Sequence, residues 1–370
     1  MKRELEAQLK KDLEKKMLLI SGPRQVGKTT LSKNLSKTFT YLNFDSLKDR
    51  KDILRNHWQR DVPIIFDELH KMKKWKQWLK GIYDTEVNPQ IIVTGSAKMD
   101  TFKRVGDSMA GRYFQYTLFP FTLKELHFNK FGKTDSNLDG LLKLSGFPEP
   151  FLAQSESFYK KWRRTHLDII IKQDLVEVEA LRRITDIITL AELMTEKVGS
   201  VFSHNSVRED LQTDDKSIKR WLTALENAYL LFKISPYSKK MIGMTKKAPK
   251  YYFFDVPRVQ NEAARLENFV ALSLLTEIHL KNELNGEDYS LHYLRNKNGH
   301  EIDFLICKDK TPNMMIEVKT SDANPSKSFS AFDSALKKQN PKIKKIQLVK
   351  NLEKPFSTRD GIHVENLGKW

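Results

Sequence analysis

The chain has 370 residues, of which 39% are hydrophobic and 30% are charged. At roughly 100–200 residues per domain this length predicts two or three domains, and the apolar fraction excludes wholesale disorder. The 64 lysines and arginines exceed the 47 acidic residues by 17, so the chain is strongly basic. This excess favours nucleic acid, an acidic lipid or a nucleotide as partner, although a lysine-rich genome would produce the same bias.

The cysteine and hydropathy patterns exclude further classes. The single cysteine, Cys307, excludes intrachain disulfides and cysteine-based zinc sites. The start of the chain, MKRELEAQLKKDLEKKMLLI, lacks the apolar core of roughly 7–15 residues that a signal peptide has. Since no window reaches the roughly 18 apolar residues that span a bilayer, we expect a soluble cytoplasmic protein with no membrane partner.

Hydrophobic periodicity predicts an α/β protein with four domains: 1–125, 126–195, 196–256 and 257–370. The first alternates helix-length connections with apolar runs typical of a parallel sheet, namely MLLI (17–20), YLNF (41–44), VPIIF (62–66) and QIIVTG (90–95). The second has a helical pattern around the loop SGFPEP (145–150), and the third combines helices with a two-stranded hairpin. The fourth begins with a helix and continues with strands at 291–295, 301–307, 313–319 and 345–349.

Residues 22–29, GPRQVGKT, match the phosphate-binding pattern G-x-x-x-x-G-K-[ST], between an apolar strand and a helical run. The glycines let backbone N–H groups point at phosphate oxygens. Lys28 would reach the β- and γ-phosphates as a catalytic residue, and the hydroxyl of Thr29 would bind Mg²⁺. The sequence therefore predicts ATP as ligand, contacted by Gly22, Pro23, Arg24, Gln25, Val26, Gly27, Lys28, Thr29 and Thr30.

Two further strands end in polar residues suited to the same chemistry. The strand at 64–66 is followed by Asp67 and Glu68, and functional residues collect at the carboxyl ends of parallel strands. We expect Asp67 to hold Mg²⁺ together with Thr29, and Glu68 to orient and polarise the attacking water. Ser96, after the next strand, is expected to hydrogen-bond the γ-phosphate or that water. The alternatives are a solvated acidic turn and a serine that only terminates its strand.

Together the segments Gly22–Thr30, Ile64–Lys71 and Val93–Ser96 resemble the AAA+ ATPases. Further blocks narrow the resemblance to a bacterial and archaeal ATPase family with a C-terminal domain of unknown function; they are Ala110–Arg112, Leu118–Phe121, Gly146–Glu149 and Lys172–Leu175. The resemblance implies an AAA+ P-loop core in 1–125, a helical lid in 126–195, and a C-terminal domain with a PD-(D/E)xK nuclease-like (restriction-endonuclease-like) fold in 257–370.

Arg112 takes a catalytic role from this resemblance and from its chemistry. It lies in a glycine-flanked loop, and an arginine inserted at a neighbouring subunit's γ-phosphate would stabilise charge in the transition state. That role implies a homo-oligomer. The alternative is a structural arginine that pairs with a local carboxylate.

Residues 196–256 predict a winged helix-turn-helix. Residues 214–229 put four apolar side chains on one helical face and basic side chains beside the other; the apolar ones are Ile218, Trp221, Leu222 and Leu225. A basic hairpin follows, with lysines at 239, 240, 246, 247 and 250, and a second lysine group runs from Lys337 to Lys350. This pattern favours nucleic acid, and DNA before RNA, as partner. The alternative is a protein-binding winged helix whose lysines are merely solvated.

Two strands near the C-terminus predict an antiparallel hairpin with one apolar and one charged face. The register that pairs apolar residues sets Ile302 opposite Val318, Phe304 opposite Ile316, and Ile306 opposite Met314. The same register sets Asp303 opposite Glu317, with Lys319 on their face. The two carboxylates could bind a second Mg²⁺ or Mn²⁺, and the lysine could position or activate water.

This charged face resembles the catalytic core of PD-(D/E)xK nucleases. The resemblance implies metal ligation by Asp303 and Glu317 and catalytic roles for Lys319 and for Glu267 on the preceding helix. The alternatives are a solvent-facing hairpin side and a domain that binds without cutting. The nine histidines show no paired metal-ligand spacing, and we assign them no site.

These observations favour a Mg²⁺-dependent ATPase whose ATP hydrolysis is coupled to nucleic-acid binding or processing. Metal-dependent DNA cleavage is an open extension of that function. The alternative is an ATP-switched interaction or regulatory protein whose nuclease-like domain is catalytically inactive.

Overall fold

A computed structural model of the chain describes residues 1–86, 89–96, 109–171, 184–237, 248–321 and 323–370. The helices are α1 (Glu6–Leu13), α2 (Lys28–Lys33), α3 (Leu47–Leu54), α4 (Trp75–Thr85), α5 (Leu123–Phe128), α6 (Thr134–Leu144), α7 (Pro148–Ala153), α8 (Glu156–Ile169), α9 (Ile184–Glu196), α10 (His204–Leu211), α11 (Asp215–Asn227), α12 (Glu262–Asn285) and α13 (Ser328–Lys337). The strands are β1 (Met17–Ser21), β2 (Thr40–Asn43), β3 (Ile64–Asp67), β4 (Ile91–Gly95), β5 (Tyr113–Thr117), β6 (Leu231–Pro236), β7 (Lys250–Phe253), β8 (Tyr289–Arg295), β9 (Glu301–Lys308), β10 (Thr311–Lys319), β11 (Lys344–Val349), β12 (Phe356–Ser357) and β13 (Ile362–Asn366).

The first sheet is parallel throughout, in the order β2-β3-β4-β1-β5. Every residue of β1, β3 and β4 is buried, because alternate side chains enter two separate cores. In β1, Leu18 and Ile20 lie in one core and Met17 and Leu19 in the other. The predicted parallel sheet is confirmed. Its edge strand β5 was not predicted, since the sequence YFQYT mixes polar and aromatic residues.

The described residues between 126 and 196 are helical, without a strand. The loop 145–150 packs on the first sheet's connections, and Phe121 N–H donates to the carbonyl oxygen of Gly146 at 2.6 Å. A Cβ at Gly146 would lie 2.8 Å from the carbonyl oxygen of Phe121, so this approach requires glycine. The block Lys172–Leu175 lies outside the described residues. In the part of the chain that the structure describes, no helix is long and apolar enough to cross a bilayer.

The second sheet has eight strands in the order β12-β13-β11-β10-β9-β8-β6-β7. The hairpin strands β6 and β7 are antiparallel, and β6 continues the sheet by pairing in parallel with β8 through Ser235 and His292. The sheet therefore crosses the expected boundary at residue 256. Helix α12 lies in the core on one face of β9 and β10, and α13 covers the other.

The hairpin of β9 and β10 has the predicted register over part of its length. The pairs Phe304–Ile316 and Ile306–Met314 are present as expected. Nearer the turn the register shifts between Pro312 and Met314, where Asn313 is an extra residue. The predicted register is therefore off by one residue next to the turn, where Pro312 pairs with Cys307.

The predicted pairing of Ile302 with Val318 on one apolar face is wrong. Between His292 and Leu294 the register of β8 with β9 shifts, so that β9 carries an additional residue there. Such a bulge reverses the alternation of side chains beyond it. Ile302 consequently lies in the core on the α13 side, whereas Val318 packs against the core on the α12 side.

Candidate functional site

The phosphate loop, Gly22–Thr29, connects β1 to α2 at the carboxyl edge of the first sheet. Its backbone has left-handed residues at Gln25 (φ 61°) and Gly27 (φ 96°). A Cβ at Gly22 would lie 2.2 Å from the carbonyl oxygen of Leu118, so only glycine fits there. The remaining predicted contact residues lie on the same loop or on the first turn of α2, namely Pro23, Arg24, Val26 and Thr30.

The structure brings the polar ends of three neighbouring strands together at this edge. Asp67 ends β3 and Ser96 follows β4, and β4 lies between β3 and β1. Lys28 is 7% exposed, and its Nζ donates to the carbonyl oxygens of Gly22 at 2.9 Å and Pro23 at 2.7 Å. The amine therefore lies over the loop, where an anionic phosphate would compete for its protons.

Asp67 is held by neutral hydroxyl donors. Thr29 Oγ1 donates to Asp67 Oδ2 at 2.9 Å, and the Tyr41 hydroxyl donates to the same oxygen at 2.8 Å. Thr94 donates to the other oxygen, Oδ1. None of these three hydroxyl donors carries a charge that would oppose a cation beside the Thr29 hydroxyl. An alcohol and a carboxylate oxygen at this spacing fit a hard cation such as Mg²⁺.

Glu68 has a backbone and a side chain unlike those of an ordinary surface acid. Its φ is 55°, in the left-handed region, and its Oε2 is buried without a hydrogen-bond partner among the described residues. The Oε2 atom lies 3.6 Å from His70 Nε2 and 3.9 Å from Lys71 Nζ. Burial raises the pKa of Glu68, Arg24 and Lys28 oppose that rise, and Asp67 adds to it. A buried acceptor with a free lone pair at this edge can orient a water molecule.

Arg112 lies at the opposite edge of the first sheet. It directly precedes β5, whose first residue pairs with Met17 at the start of β1, while the phosphate loop follows the end of β1. At about 3.3 Å per strand residue, this separates Arg112 from the loop by roughly 15 Å. Its guanidinium pairs with both carboxylate oxygens of Asp84, at 2.7 and 3.0 Å. Arg112 therefore cannot reach the phosphate loop of its own chain.

His166 of α8 is a residue beside the loop to which the sequence analysis assigned no role. It is 1% exposed, its ring stacks on Trp162 with centroids 4.4 Å apart, and neither ring nitrogen has a hydrogen-bond partner among the described residues. Burial first, and then the positive charge of Arg258, lower the pKa of His166 to about 3. The spacing of Trp162 and His166 on one helical face was the only sequence signal, and it equally fits a core position.

The nuclease-like residues lie around the hairpin and the first turns of α12. We call Glu267, Glu301, Asp303 and Glu317 the acidic cluster. Asp303 Oδ2 accepts a hydrogen bond from Val318 N–H at 2.9 Å. Burial raises the pKa of Asp303, and the charges of Glu267 and then Glu317 raise it further. The structure thus brings these predicted carboxylates close to one another.

Lys319 lies beside the cluster as the sequence predicts. Its Nζ is 2.9 Å from Glu317 Oε1, which also accepts from Ser326 Oγ at 3.3 Å. Glu317 is 6% exposed, and its Oε2 has no hydrogen-bond partner among the described residues. The solvent-facing alternative for this carboxylate is therefore wrong.

Lys250 was expected among the phosphate-contacting lysines of the wing, and that expectation is wrong. It is 1% exposed, lies 3.2 Å from Glu267 Oε1, and forms a second ion pair with Glu301. Burial alone would lower the pKa of Lys250, but Glu267, Asp303 and Glu301 outweigh it and hold the pKa above its ordinary value. The other predicted wing lysines, 239, 240, 246 and 247, lie outside the described residues.

The acidic cluster does not fit the expected second metal ion as it stands. Within the described residues, no group of three His, Cys, Asp or Glu side chains is arranged to hold a metal. A buried ammonium lies among the carboxylates instead. The oxygens of Thr29 and Asp67 thus fit a divalent metal ion, whereas those of the acidic cluster are paired with a lysine ammonium.

Comparison with known families divides the chain into three matched regions. Residues 14–127 match a model described as "AAA domain". Residues 136–257 and 263–370 match two models described as "Domain of unknown function", DUF8612 and DUF4143 respectively. The chain thus contains an AAA-type, ATPase-like domain followed by two domains of unknown function.

Two relatives of similar sequence bear the name "Uncharacterized protein". One from Methanocaldococcus jannaschii is 25% identical over 371 residues, covering 89% of this chain and 82% of its own. One from Haemophilus influenzae is 25% identical over 296 residues, covering 70% of this chain and 74% of its own. A solved signal-transduction ATPase (STAND) with a tetratricopeptide repeat sensor from Pyrococcus horikoshii is 13% identical. The match covers 77% of this chain and 50% of the STAND protein, with a TM-score of 0.25, which is too low to indicate a shared fold.

The buried imidazole of His166 makes a prediction about pH dependence. Because its folded pKa is depressed, the unfolded chain binds the proton first, and stability falls as the pH falls below the unfolded value near 6.5. Between pH 7.5 and 5.0 this group should remove about 2 kcal/mol from the free energy of unfolding. Urea unfolding of wild type and His166→Phe should show that loss in the wild type and its absence in the variant. The exposed His300→Phe is the control; an unchanged pH dependence in His166→Phe would contradict the assignment.

Proposed function

We propose that the protein is a Mg²⁺-dependent ATPase whose nucleotide state controls nucleic-acid binding by its C-terminal half. The observation that carries the ATPase proposal is the alignment of Lys28, Thr29, Asp67 and Glu68 at one edge of a parallel sheet. In this proposal Thr29 and Asp67 would hold Mg²⁺, which supplies charge neutralisation on the β- and γ-phosphates.

The protein's own groups account for binding and for water activation. Backbone N–H groups of the phosphate loop bind the phosphate oxygens, and Lys28 exchanges its two carbonyl acceptors for them. Glu68 accepts a hydrogen bond from the attacking water through Oε2, which has no hydrogen-bond donor among the described residues. Ser96 is buried directly after β4, and in this proposal it contacts the γ-phosphate or this water.

Charge stabilisation by Arg112 is proposed to act between subunits. The carboxylate of Asp84 holds the guanidinium on the surface at the far edge of the sheet. A second copy is therefore required to bring an Arg112 to a phosphate loop. Exchange of an exposed ion pair for a triphosphate is energetically accessible, since exposed pairs contribute little on their own.

Two contacts support communication between the ATPase domain and the C-terminal half. The Tyr229 hydroxyl donates to Ser21 Oγ at 3.1 Å, directly before the phosphate loop. Glu283 of α12 accepts from the backbone N–H and the hydroxyl of Thr117, at 2.8 and 2.9 Å. If nucleotide binding shifts the phosphate loop, these hydrogen bonds would transmit the shift to α12 and to β6, which follows Tyr229.

Nucleic-acid binding is proposed for the exposed face of α11. Ile218, Trp221 and Leu225 are buried, as the amphipathic pattern predicts. Lys216, Lys219 and Arg220 are exposed on the helix, which a phosphate backbone would favour. In the second lysine group Lys345 is buried against Asp333, so that group offers fewer free charges than its sequence suggests.

A non-cleaving C-terminal domain is the second proposal, and Lys250 favours it over metal-dependent cleavage. The nuclease-like assignment of Glu267, Asp303, Glu317 and Lys319 rests on resemblance and on their proximity. In this proposal the domain binds DNA, or a regulatory partner, without cutting it.

Glu68→Gln and Lys28→Ala separate turnover from binding. Glu68→Gln should bind ATP within a few-fold of wild type but hydrolyse it at least roughly 100-fold more slowly, since it loses the proton acceptor. Lys28→Ala should lose both affinity and turnover. Fluorescent-nucleotide titration and phosphate release measure the two quantities, with the exposed Lys37→Ala as control. Normal hydrolysis by Lys28→Ala would show that ATP is not handled at this loop.

Arg112→Ala should lose turnover while keeping ATP affinity, and it should regain turnover when mixed with Lys28→Ala. The mixture pairs an intact loop on one subunit with an intact Arg112 on the other. Arg60→Ala is the matched control, because Arg60 also pairs with a nearby acid, Glu86, at 2.8 Å. Full activity of Arg112→Ala alone would leave Arg112 a structural partner of Asp84.

The α11 proposal predicts a change in salt dependence. The double variant Lys216→Ala, Arg220→Ala should bind DNA more weakly and reduce the slope of log affinity against log salt by about 2, because each lost phosphate contact removes about 0.9. Anisotropy titrations at several salt concentrations measure the slope. Lys48→Ala, Lys51→Ala, on exposed positions of α3, removes the same charge and should leave the slope unchanged. Equal slopes in both double variants would point to a protein partner.

A further inference from the structure

We propose that Lys250 is the resident cation of the acidic cluster, in the place where a divalent metal would otherwise bind. The inference rests on the nuclease-like assignment of Glu267, Asp303 and Glu317. It concerns the state of that site and not the ATPase cycle.

The ammonium group of Lys250 is enclosed by carboxylates from different elements. Lys250 opens β7, Glu267 lies on α12, and Glu301 lies on β9. Nζ is 3.2 Å from Glu267 Oε1 and is also paired with Glu301. Two strands and a helix therefore converge on one buried cation, and removing a buried partner of this kind leaves uncompensated charge.

The space around Glu267 is closed on its other side. Its Oε1 also accepts a hydrogen bond from the Tyr252 hydroxyl at 2.7 Å. A Cβ at Gly199 would lie 2.6 Å from Glu267 Oε2, so backbone lies directly against that oxygen. The Tyr293 ring is 5.5 Å from Lys250 Nζ. Mg²⁺ keeps several waters and demands near-octahedral geometry, which this enclosure does not offer while Lys250 is in place.

The cluster still has an oxygen that lacks a proton donor. Glu317 is 6% exposed, and its Oε2 has no hydrogen-bond partner in the described part of the chain. The charges of Glu267 and Glu317 raise the pKa of Asp303, and the charge of Lys250 opposes that rise. If the ammonium were removed, the carboxylates of Glu267, Asp303 and Glu317 would be left for a divalent cation such as Mn²⁺. The cation that we infer at this site, the Lys250 ammonium, is part of the chain, and a substitution can remove it.

The test replaces the charge and counts bound Mn²⁺ without nucleotide. Lys250→Met keeps the length of the side chain and removes its charge. Because uncompensated buried carboxylates destabilise a fold, Lys250→Met, Glu301→Gln is made as well; it removes one of the four carboxylate charges and keeps Glu267, Asp303 and Glu317. Lys345→Met is the matched control, since Lys345 is another buried, ion-paired lysine of the same sheet, 5% exposed. Electron paramagnetic resonance of free Mn²⁺ gives the number of bound ions, and circular dichroism confirms folding.

A folded Lys250 variant should bind one Mn²⁺ more than wild type and Lys345→Met, and Asp303→Asn in the same background should remove it. Mn²⁺ should also raise the melting temperature of that variant alone. The proposal is overturned if Asp303→Asn in the wild-type background removes a bound Mn²⁺, or if the folded Lys250→Met, Glu301→Gln protein gains none. The ATP site is common to all variants and cancels in the comparison. Loss of ATPase function would therefore not imitate either result.

Discussion

Helix α12 packs against both sheets, and it carries side chains that reach the neighbourhood of both candidate sites. Its apolar residues lie in one continuous core with residues of both sheets. Near its start Glu267 faces the acidic cluster, and near its end Glu283 holds the backbone of Thr117 in the ATPase sheet. These two glutamates are sixteen residues apart, or about 24 Å along a rigid helix. The helix therefore connects the acidic cluster directly to the strand beside the phosphate loop.

The net charge of +17 indicates a partner only when buried or ion-paired basic residues are separated from exposed ones. Lys250 and Lys345 are buried and neutralised by neighbouring carboxylates. Lys350 pairs with Asp139 and Glu262 at 3.4 Å each, and so joins the helical region to the start of α12. The carboxylates that pair with these lysines are already counted among the 47 acidic residues, so the excess of 17 comes from other basic side chains. The exposed basic face of α11 is therefore a better guide to a polyanionic partner than the total charge.

Local pattern and long-range contact explain which features the sequence could predict. The phosphate loop is a continuous segment whose glycines and lysine are read directly, and the central pairs of β9 and β10 follow from alternation across a short turn. The bulge near Asp303 could not be predicted, because it arises from pairing with β8. Lys250 finds partners 17 and 51 residues away, and Arg112 finds Asp84 at a separation of 28. No spacing rule joins such residues before the fold is known.

The two carboxylate sites show how the donor set decides what a site can bind. Asp67 is oriented by three hydroxyl groups, which fix its geometry without placing a positive charge beside it. Glu267 is oriented by a hydroxyl and an ammonium, and the ammonium cancels charge as well as fixing geometry. A hard divalent cation gains much by approaching the first and little by approaching the second. We therefore propose that similar carboxylate chemistry in one chain gives a site for Mg²⁺ at Asp67 and a site whose cation is a lysine at Glu267.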